Sequence, residues 1–365
     1  MLGVYVHIPF CQRKCNYCAF SSFVLNEEKQ TEYVDFLIKE IKNFAKNNTK
    51  KVDTIFIGGG TPSLLPIHLM WQIFQTLKSE FVIDEKAEIT IECNPNSLTL
   101  HALQEYKQMG INRISIGVQS LDDNQLQFIG RLHNSQTAIN SIKMAKEVFE
   151  NVSVDLLIGI KNQQKEAFLT DLRTIASLGV THISTYMLQV EGGTPLAQMA
   201  ENNPALLPDD DECVGIYESA VKELAKLGFN QYEVSNFAKE GNKCKHNQKY
   251  WRGDEYIGFG LSAHSYINGT RFANSNNFTD YYKSKIAMTE KLDENQLITE
   301  HIMLGLRCDL GVDKNYLKSL KFDIEKSESL ADYVQRGIIR TSGDKLFLNP
   351  QYYGVNNFII AHLLP

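Results

Sequence analysis

The chain has no excess of basic residues. Its 37 Lys and Arg face 43 Asp and Glu, giving a net charge of −6. Nucleic-acid binders draw their affinity from cations that neutralise phosphates, so nucleic acid is not an expected partner. No apolar run approaches the roughly 20 residues that span a bilayer, so no transmembrane segment is expected. The opening MLGVYVHIPF has neither a charged leading stretch nor a cleavage site, and no secretory signal is read there. Seven cysteines in 365 residues are too few and too uneven for a disulfide scaffold. Internal repeats and low-complexity tracts are also lacking.

What is present is ordinary globular material: 43% hydrophobic, 22% charged and 10% aromatic residues. A chain of this length suits a large α/β barrel with an appendage, or two domains. Short apolar runs at 3–8, 53–58, 88–93, 113–118, 152–159 and 182–188 read as strands. Between them, Tyr33, Phe36, Leu37, Ile41 and Phe44 recur at helical spacing, as do Leu64, Ile67, Met70, Trp71, Phe74 and Leu77. Further helical patterns fall near 97–109, 122–129, 135–149 and 163–178. This alternation predicts parallel βαβ units, in an incomplete barrel or an open doubly wound sheet, with functional residues at the C-terminal strand ends.

Residues 191–210 read as a surface excursion, 211–227 as a helix and 228–238 as a strand. Beyond about 278 the character changes. Helical patterns at 279–291, 295–308 and 325–337 precede a hairpin at 338–350 with a Ser-Gly-Asp turn, then a final helix. A boundary between 277 and 278 is therefore expected, with a small winged-helix-like domain after it. That domain has no concentrated basic face, so packing is its expected role.

Three of the cysteines crowd together as Cys11-x-x-x-Cys15-x-x-Cys18. Thiolates are the usual ligands of iron–sulfur clusters, and this spacing can wrap one face of a cubane. Three ligands leave one iron open, which the amino and carboxylate groups of S-adenosylmethionine can chelate. Structural zinc is the competing reading, but zinc usually takes four protein ligands and no second cysteine pair exists. Cys93, Cys213, Cys244 and Cys308 read as small buried hydrophobes. After the second strand, Gly58-Gly59-Gly60-Thr61-Pro62 lets backbone approach a ligand without Cβ interference. On its own such a loop is also an ordinary strand–helix turn.

Tyr5-Val6-His7-Ile8-Pro9-Phe10-Cys11 with Cys15, Tyr17 and Cys18, then GGGTPS, IECNPNS and RISIGVQS, resembles the HemN/HemW family of the radical-SAM proteins. The family comprises oxygen-independent coproporphyrinogen III dehydrogenases and haem chaperones, and the resemblance covers nearly the whole chain. It implies an incomplete (β/α)6 TIM-like barrel with a mainly helical C-terminal domain, a [4Fe–4S] cluster and S-adenosylmethionine. It implies cosubstrate contacts from Tyr5 and Tyr17, from Gly59, Gly60 and Thr61 along the methionine part, and from Glu92 to the amino group. Gln119, Arg131 and Asp155 would reach its carboxylate or ribose. Without the resemblance, Glu92 and Asp155 are ambiguous strand-end acids.

Three features separate the branches. The dehydrogenases carry a fourth cysteine two residues after the third, where this chain has Phe20, and a substantial segment ahead of the cluster motif, where this chain has ten residues. The motif His246-Asn247-Gln248-Lys249-Tyr250-Trp251, within 244–266, is associated with the chaperone branch. The expectation is a cytoplasmic haem chaperone delivering haem to an apo-haemoprotein, with coproporphyrinogen III dehydrogenase, or a radical-SAM enzyme with another substrate, as alternatives. His246, Tyr250 and Trp251 are the haem-binding candidates, since histidine ligates haem iron and aromatics cover a porphyrin face. Cys244 is a rival ligand, His264 a candidate for the barrel mouth, and His7 a residue that orients the cluster loop or packs. Homodimerisation and peripheral membrane contact stay open.

Overall fold

The computed structural model describes residues 1–24 and 27–365. Six strands, β1 (Leu2–Ile8), β2 (Val52–Gly59), β3 (Ile83–Cys93), β4 (Arg113–Gln119), β5 (Asn151–Ile158) and β6 (His182–Met187), pair in sequence order, all parallel. The helices between them are α1 (Glu27–Ala45), α2 (Ile67–Glu80), α3 (Leu100–Met109), the pair α4 (Asp123–Phe128) and α5 (Ser135–Val148), and α6 (Lys165–Ser177). α1 buries Tyr33, Val34, Leu37 and Ile41, the stripe read from its 3.6-residue period. Each strand turns its aliphatic residues outward to these helices, as Val4, Val6 and Ile8 of β1 do, and this layer is the hydrophobic core.

The opposite strand faces are polar and line the inside of the arc. They carry Tyr5 and His7, Thr54 and Phe56, Glu88 and Glu92, Arg113 and Ser115, Ser153 and Asp155, then His182 and Ser184. The sheet does not close on itself. Beyond β6 it continues through β8 (Asn236–Ala238) and β7 (Asn230–Gln231), which are antiparallel. The strand expected over 228–238 is thus two short ones around a turn. The excursion before them holds α7 (Pro195–Asn202) and α8 (Asp210–Lys226), the latter started by an Asp209–Glu212 capping box.

At the other edge, α9 (Lys245–Arg252) leads into β9 (Tyr256–Phe259), which pairs in parallel with β1. β10 (His264–Ile267), β11 (Thr270–Asn274) and, after α10 (Phe278–Tyr281), β12 (Ile286–Lys291) extend the sheet to twelve strands. The helix expected over 279–291 is therefore only a short turn of helix followed by an edge strand. The sheet runs on past residue 277. α11 (Glu294–Gly305), β13 (Val312–Asp313), α12 (Lys314–Ser319), α13 (Glu328–Gln335), β14 (Ile339–Ser342) and β15 (Lys345–Leu348) then form the winged-helix-like unit, with strand order β13-β15-β14. α14 (Asn356–Ala361) ends the chain. Among the described residues no helix is long and apolar enough to cross a membrane.

Candidate iron–sulfur and cosubstrate site

The loop after β1 carries Cys11, Cys15 and Cys18 as free, partly exposed thiols. Three parts of the chain hold it in shape. Cys11 N–H donates to Phe23 O at 3.0 Å, and Phe23 N–H to Pro9 O at 2.7 Å. Asn16 bonds through its N–H to Ile129 O and through its amide to Phe128 O, while Arg13 donates to Gly130 O at 2.8 Å. From the barrel side, the His7 ring bridges the Tyr5 hydroxyl at 3.0 Å and the Ser21 carbonyl at 2.9 Å. His7 thus orients the loop.

The sulfurs lie beside groups suited to thiolates. Thr61 Oγ1 donates to Cys11 Sγ and Arg131 Nη1 to Cys15 Sγ, each at 3.5 Å. Burial pushes the Cys18 thiol up from its ordinary value, a shift that bound iron would reverse by deprotonating it. A Cβ on Gly60 would stand 2.7 Å from Phe10 O and 3.0 Å from Cys11 Sγ, so only glycine lets β2 approach the loop this closely. Among the described residues no three His, Cys, Asp or Glu side chains are set closely enough to share one metal ion. A cubane presents separate iron corners, and its thiolates stand further apart than ligands of one ion. Three thiolates on one braced loop fit it.

The barrel interior holds a cavity of about 210 Å³, lined in part by Tyr5, Glu92, Asp155 and Tyr186. Glu92 Oε2 accepts the Gly59 N–H at 3.0 Å. Burial, then the nearby Asp155, raises the Glu92 carboxyl to about 7. Asp155, bonded by Ser184 and Ser115, is also raised by burial. Both acids face this space, where the Arg113 guanidinium already favours their ionised forms, as a further cation would. Gln119, at the end of β4, has a left-handed φ of 71°, a strained setting for a non-glycine residue. A Cβ on Gly117 would lie 3.0 Å from Gln119 Nε2 and 3.5 Å from Arg131 Nη2, so these two side chains converge above it. Burial raises Tyr17, and Arg131, Cys15, Cys18 and Asp155 all influence its charge. The expected cluster and cosubstrate residues therefore gather at the C-terminal ends of β1 to β5.

The histidine motif lies elsewhere. α9 packs across the start of the strands, its N-terminal N–H groups at Lys245 and His246 donating to Glu88 at 3.0 Å each. Lys249 pairs with Asp53 at 2.8 Å. His246 is 1% exposed, with Nδ1 on Thr54 Oγ1 at 2.8 Å and Nε2 on Tyr250 OH at 2.9 Å. Burial pushes its pKa down to about 3, so the ring is neutral. Both nitrogens are engaged, and the expectation of His246 as an axial haem ligand does not fit this arrangement. Cys244 is wholly buried beside Glu88, so it offers no open thiolate either. Trp251 is half-buried, and His264 is exposed at the start of β10.

Sequence reasoning missed Arg113, Phe56 and His182, which line the same cavity. The signal was available: Arg113 and Ser115 share a face in the period-2 pattern of RISIGV.

The model of the Radical SAM superfamily matches residues 5–175. "Heme chaperone HemW" of Bacillus subtilis is 35% identical over all of this chain and 99% of that protein. The chain belongs to the HemW family. Another HemW, from Synechocystis, is 34% identical over 98% of this chain and 88% of its own length. HemW relatives thus match from the cluster loop through the C-terminal unit. The solved structure of coproporphyrinogen III oxidase (HemN) from Escherichia coli has a TM-score of 0.87, covering 99% of this chain and 89% of that one. At 22% identity that likeness shows the shared fold.

Proposed function

We propose that this chain carries a [4Fe–4S] cluster on Cys11, Cys15 and Cys18, binds S-adenosylmethionine beside it, and takes up haem for delivery to apo-haemoproteins. The haem part rests on the full-length match to relatives named heme chaperones. A cluster held there would supply the electron that cleaves the sulfonium of the cosubstrate. The chain's own residues bind and orient. Glu92 accepts the cosubstrate ammonium, a role favoured by its place beside Asp155 on the cavity wall. Gly59 and Gly60 leave room for the methionine part, and Thr61 donates toward Cys11. Gln119, Arg131 and Asp155 serve its carboxylate and ribose, with Tyr5 and Tyr17 at the side.

In this reading His246 builds the barrel floor, and Tyr250 and Trp251, both half-buried, are the aromatic members of the motif with surface left for haem. Phe20 occupies the place of the dehydrogenases' fourth cysteine and is 68% exposed, available to meet a ligand or partner at the mouth. The reading places the protein in the cytoplasm. The test is anaerobic reconstitution followed by haem titration and transfer to an apo-haemoprotein. Saturable haem uptake with loss to the acceptor is expected, and failure to bind haem overturns the reading.

A further inference from the structure

Of the nine histidines, six are tied by ring hydrogen bonds, as His246 is. The other three, His68, His101 and His264, are exposed, and among the described residues their rings make no hydrogen bond, ion pair or ring contact. His68 and His101 stand on α2 and α3. His264 stands on the sheet, at the start of β10. It pairs across the ladder with Ala273 of β11, and Ala273 pairs with Met288 of β12. Residues directly opposite in an antiparallel ladder share a face. The imidazole and the thioether therefore rise from one face, two strand spacings or roughly 10 Å apart, with only a methyl group between them. Met288 is exposed and Ala273 is buried.

We propose that haem binds edge-on over Ala273, with its iron held by His264 on one side and Met288 on the other. The inference rests on the haem reading above and gives it an iron site. Histidine with methionine is one of the axial pairs that hold haem iron. Both are neutral donors, so the two coordinate bonds form without exchange of a proton or an electron. Tyr266, two residues along β10 and on the same face, is half-buried and closes the far end, beside Arg271 in its pair with Glu300 at 2.9 Å. Tyr266 also pairs with Tyr256, whose ring centroid lies 4.7 Å from that of Tyr250, so this face runs on to the aromatics of the α9 motif. Lys283, exposed and outside any ion pair among the described residues, precedes β12 at the open end and suits a propionate. Ser262, two residues before His264, donates or accepts with Ser21 of the cysteine loop at 3.0 Å, so the haem site adjoins the cluster loop.

Haem is titrated anaerobically, without reductant, into the cluster-reconstituted protein. Difference absorption and electron paramagnetic resonance spectra are taken against the haem-free sample. The native chain is expected to give low-spin ferric haem with the near-infrared band of a thioether ligand. His264→Ala is expected to lose the low-spin spectrum and to bind haem at least about tenfold more weakly, the loss that even an outer partner of a metal ligand causes. Met288→Leu is expected to turn the iron high-spin with the imidazole retained. Both side chains are exposed, so neither variant removes core packing. Ala273→Leu fills the gap and is expected to weaken haem although both ligands are present. His101→Ala is expected to change nothing. No saturable haem binding by the native chain overturns the haem reading and this site together. Saturable binding whose spectrum and affinity survive His264→Ala, whose spectrum survives Met288→Leu, or whose spectrum shifts in His101→Ala overturns this site alone.

Discussion

The carboxylate of Glu92 accepts the backbone N–H of Gly59 at 3.0 Å, which ties the end of β3 to the glycine turn beside the cysteine loop. The same carboxyl, raised to about 7 by burial and by Asp155, faces the cavity. If it receives the ammonium of S-adenosylmethionine, it must be ionised to do so. Affinity for the cosubstrate is therefore expected to fall as pH drops from about 8 to about 6. The Glu92→Gln variant should bind weakly at every pH and lose this dependence. Calorimetric titration across that range checks both, and a flat native profile would count against the assignment.

The same shift predicts how stability responds to pH. A carboxyl raised in the folded state holds its proton where the unfolded chain has lost it. Its stabilising effect is complete below about 4.5 and is lost as pH rises toward about 7. Glu233, also raised by burial to about 7, acts in the same direction, so the native slope is a joint one. Asp155, Asp171 and Glu40, raised by burial as well, add to it, and Glu92→Gln removes one contribution of the set. Relative to the native chain, its stability should improve by about 1–3 kcal/mol between pH 5 and pH 8. Urea unfolding of the cluster-free protein at both pH values measures it.

Gly60 has no room for a side chain. Gly60→Ala should push the turn away from Phe10 and Cys11, costing about 1–3 kcal/mol and lowering the iron retained after reconstitution. By contrast, Cys15→Ala should abolish the iron–sulfur absorbance while the far-ultraviolet dichroism stays native, because the half-buried Cys15 side chain lies in a loop outside the core. Full iron content in Cys15→Ala would remove the loop as the cluster site.

His246 makes two buried hydrogen bonds, so His246→Phe should leave Thr54 unpaired and destabilise the chain by about 2–4 kcal/mol. Haem affinity and the haem spectrum should stay unchanged. A changed haem spectrum would return the ring to the list of ligands.

The six parallel strands and their helices were legible because the outward faces of the strands and the stripes of the helices are aliphatic. In EITIEC, Ile89 and Ile91 meet the helices, while Glu88, Thr90 and Glu92 turn into the barrel. The same alternation would describe a strand with one face in water, so it did not reveal that the polar face is enclosed. Arg113 and His182 were passed over for that reason. The strands of 256–291 were harder still. β12 has five of its six residues exposed, and an edge strand without a buried face carries no apolar period. The cysteine loop was legible by spacing alone. The position of His246 was not, because its burial depends on Glu88 and Thr54, more than 150 residues away in sequence.

In the proposed function the chain handles haem as cargo and does not make its precursor. The most direct measurement incubates the anaerobically reconstituted protein with reductant, S-adenosylmethionine and coproporphyrinogen III, and in parallel with haem and an apo-haemoprotein. No decarboxylated product is expected in the first reaction, and transferred haem is expected in the second. Decarboxylation with stoichiometric 5′-deoxyadenosine, and no transfer, would contradict it.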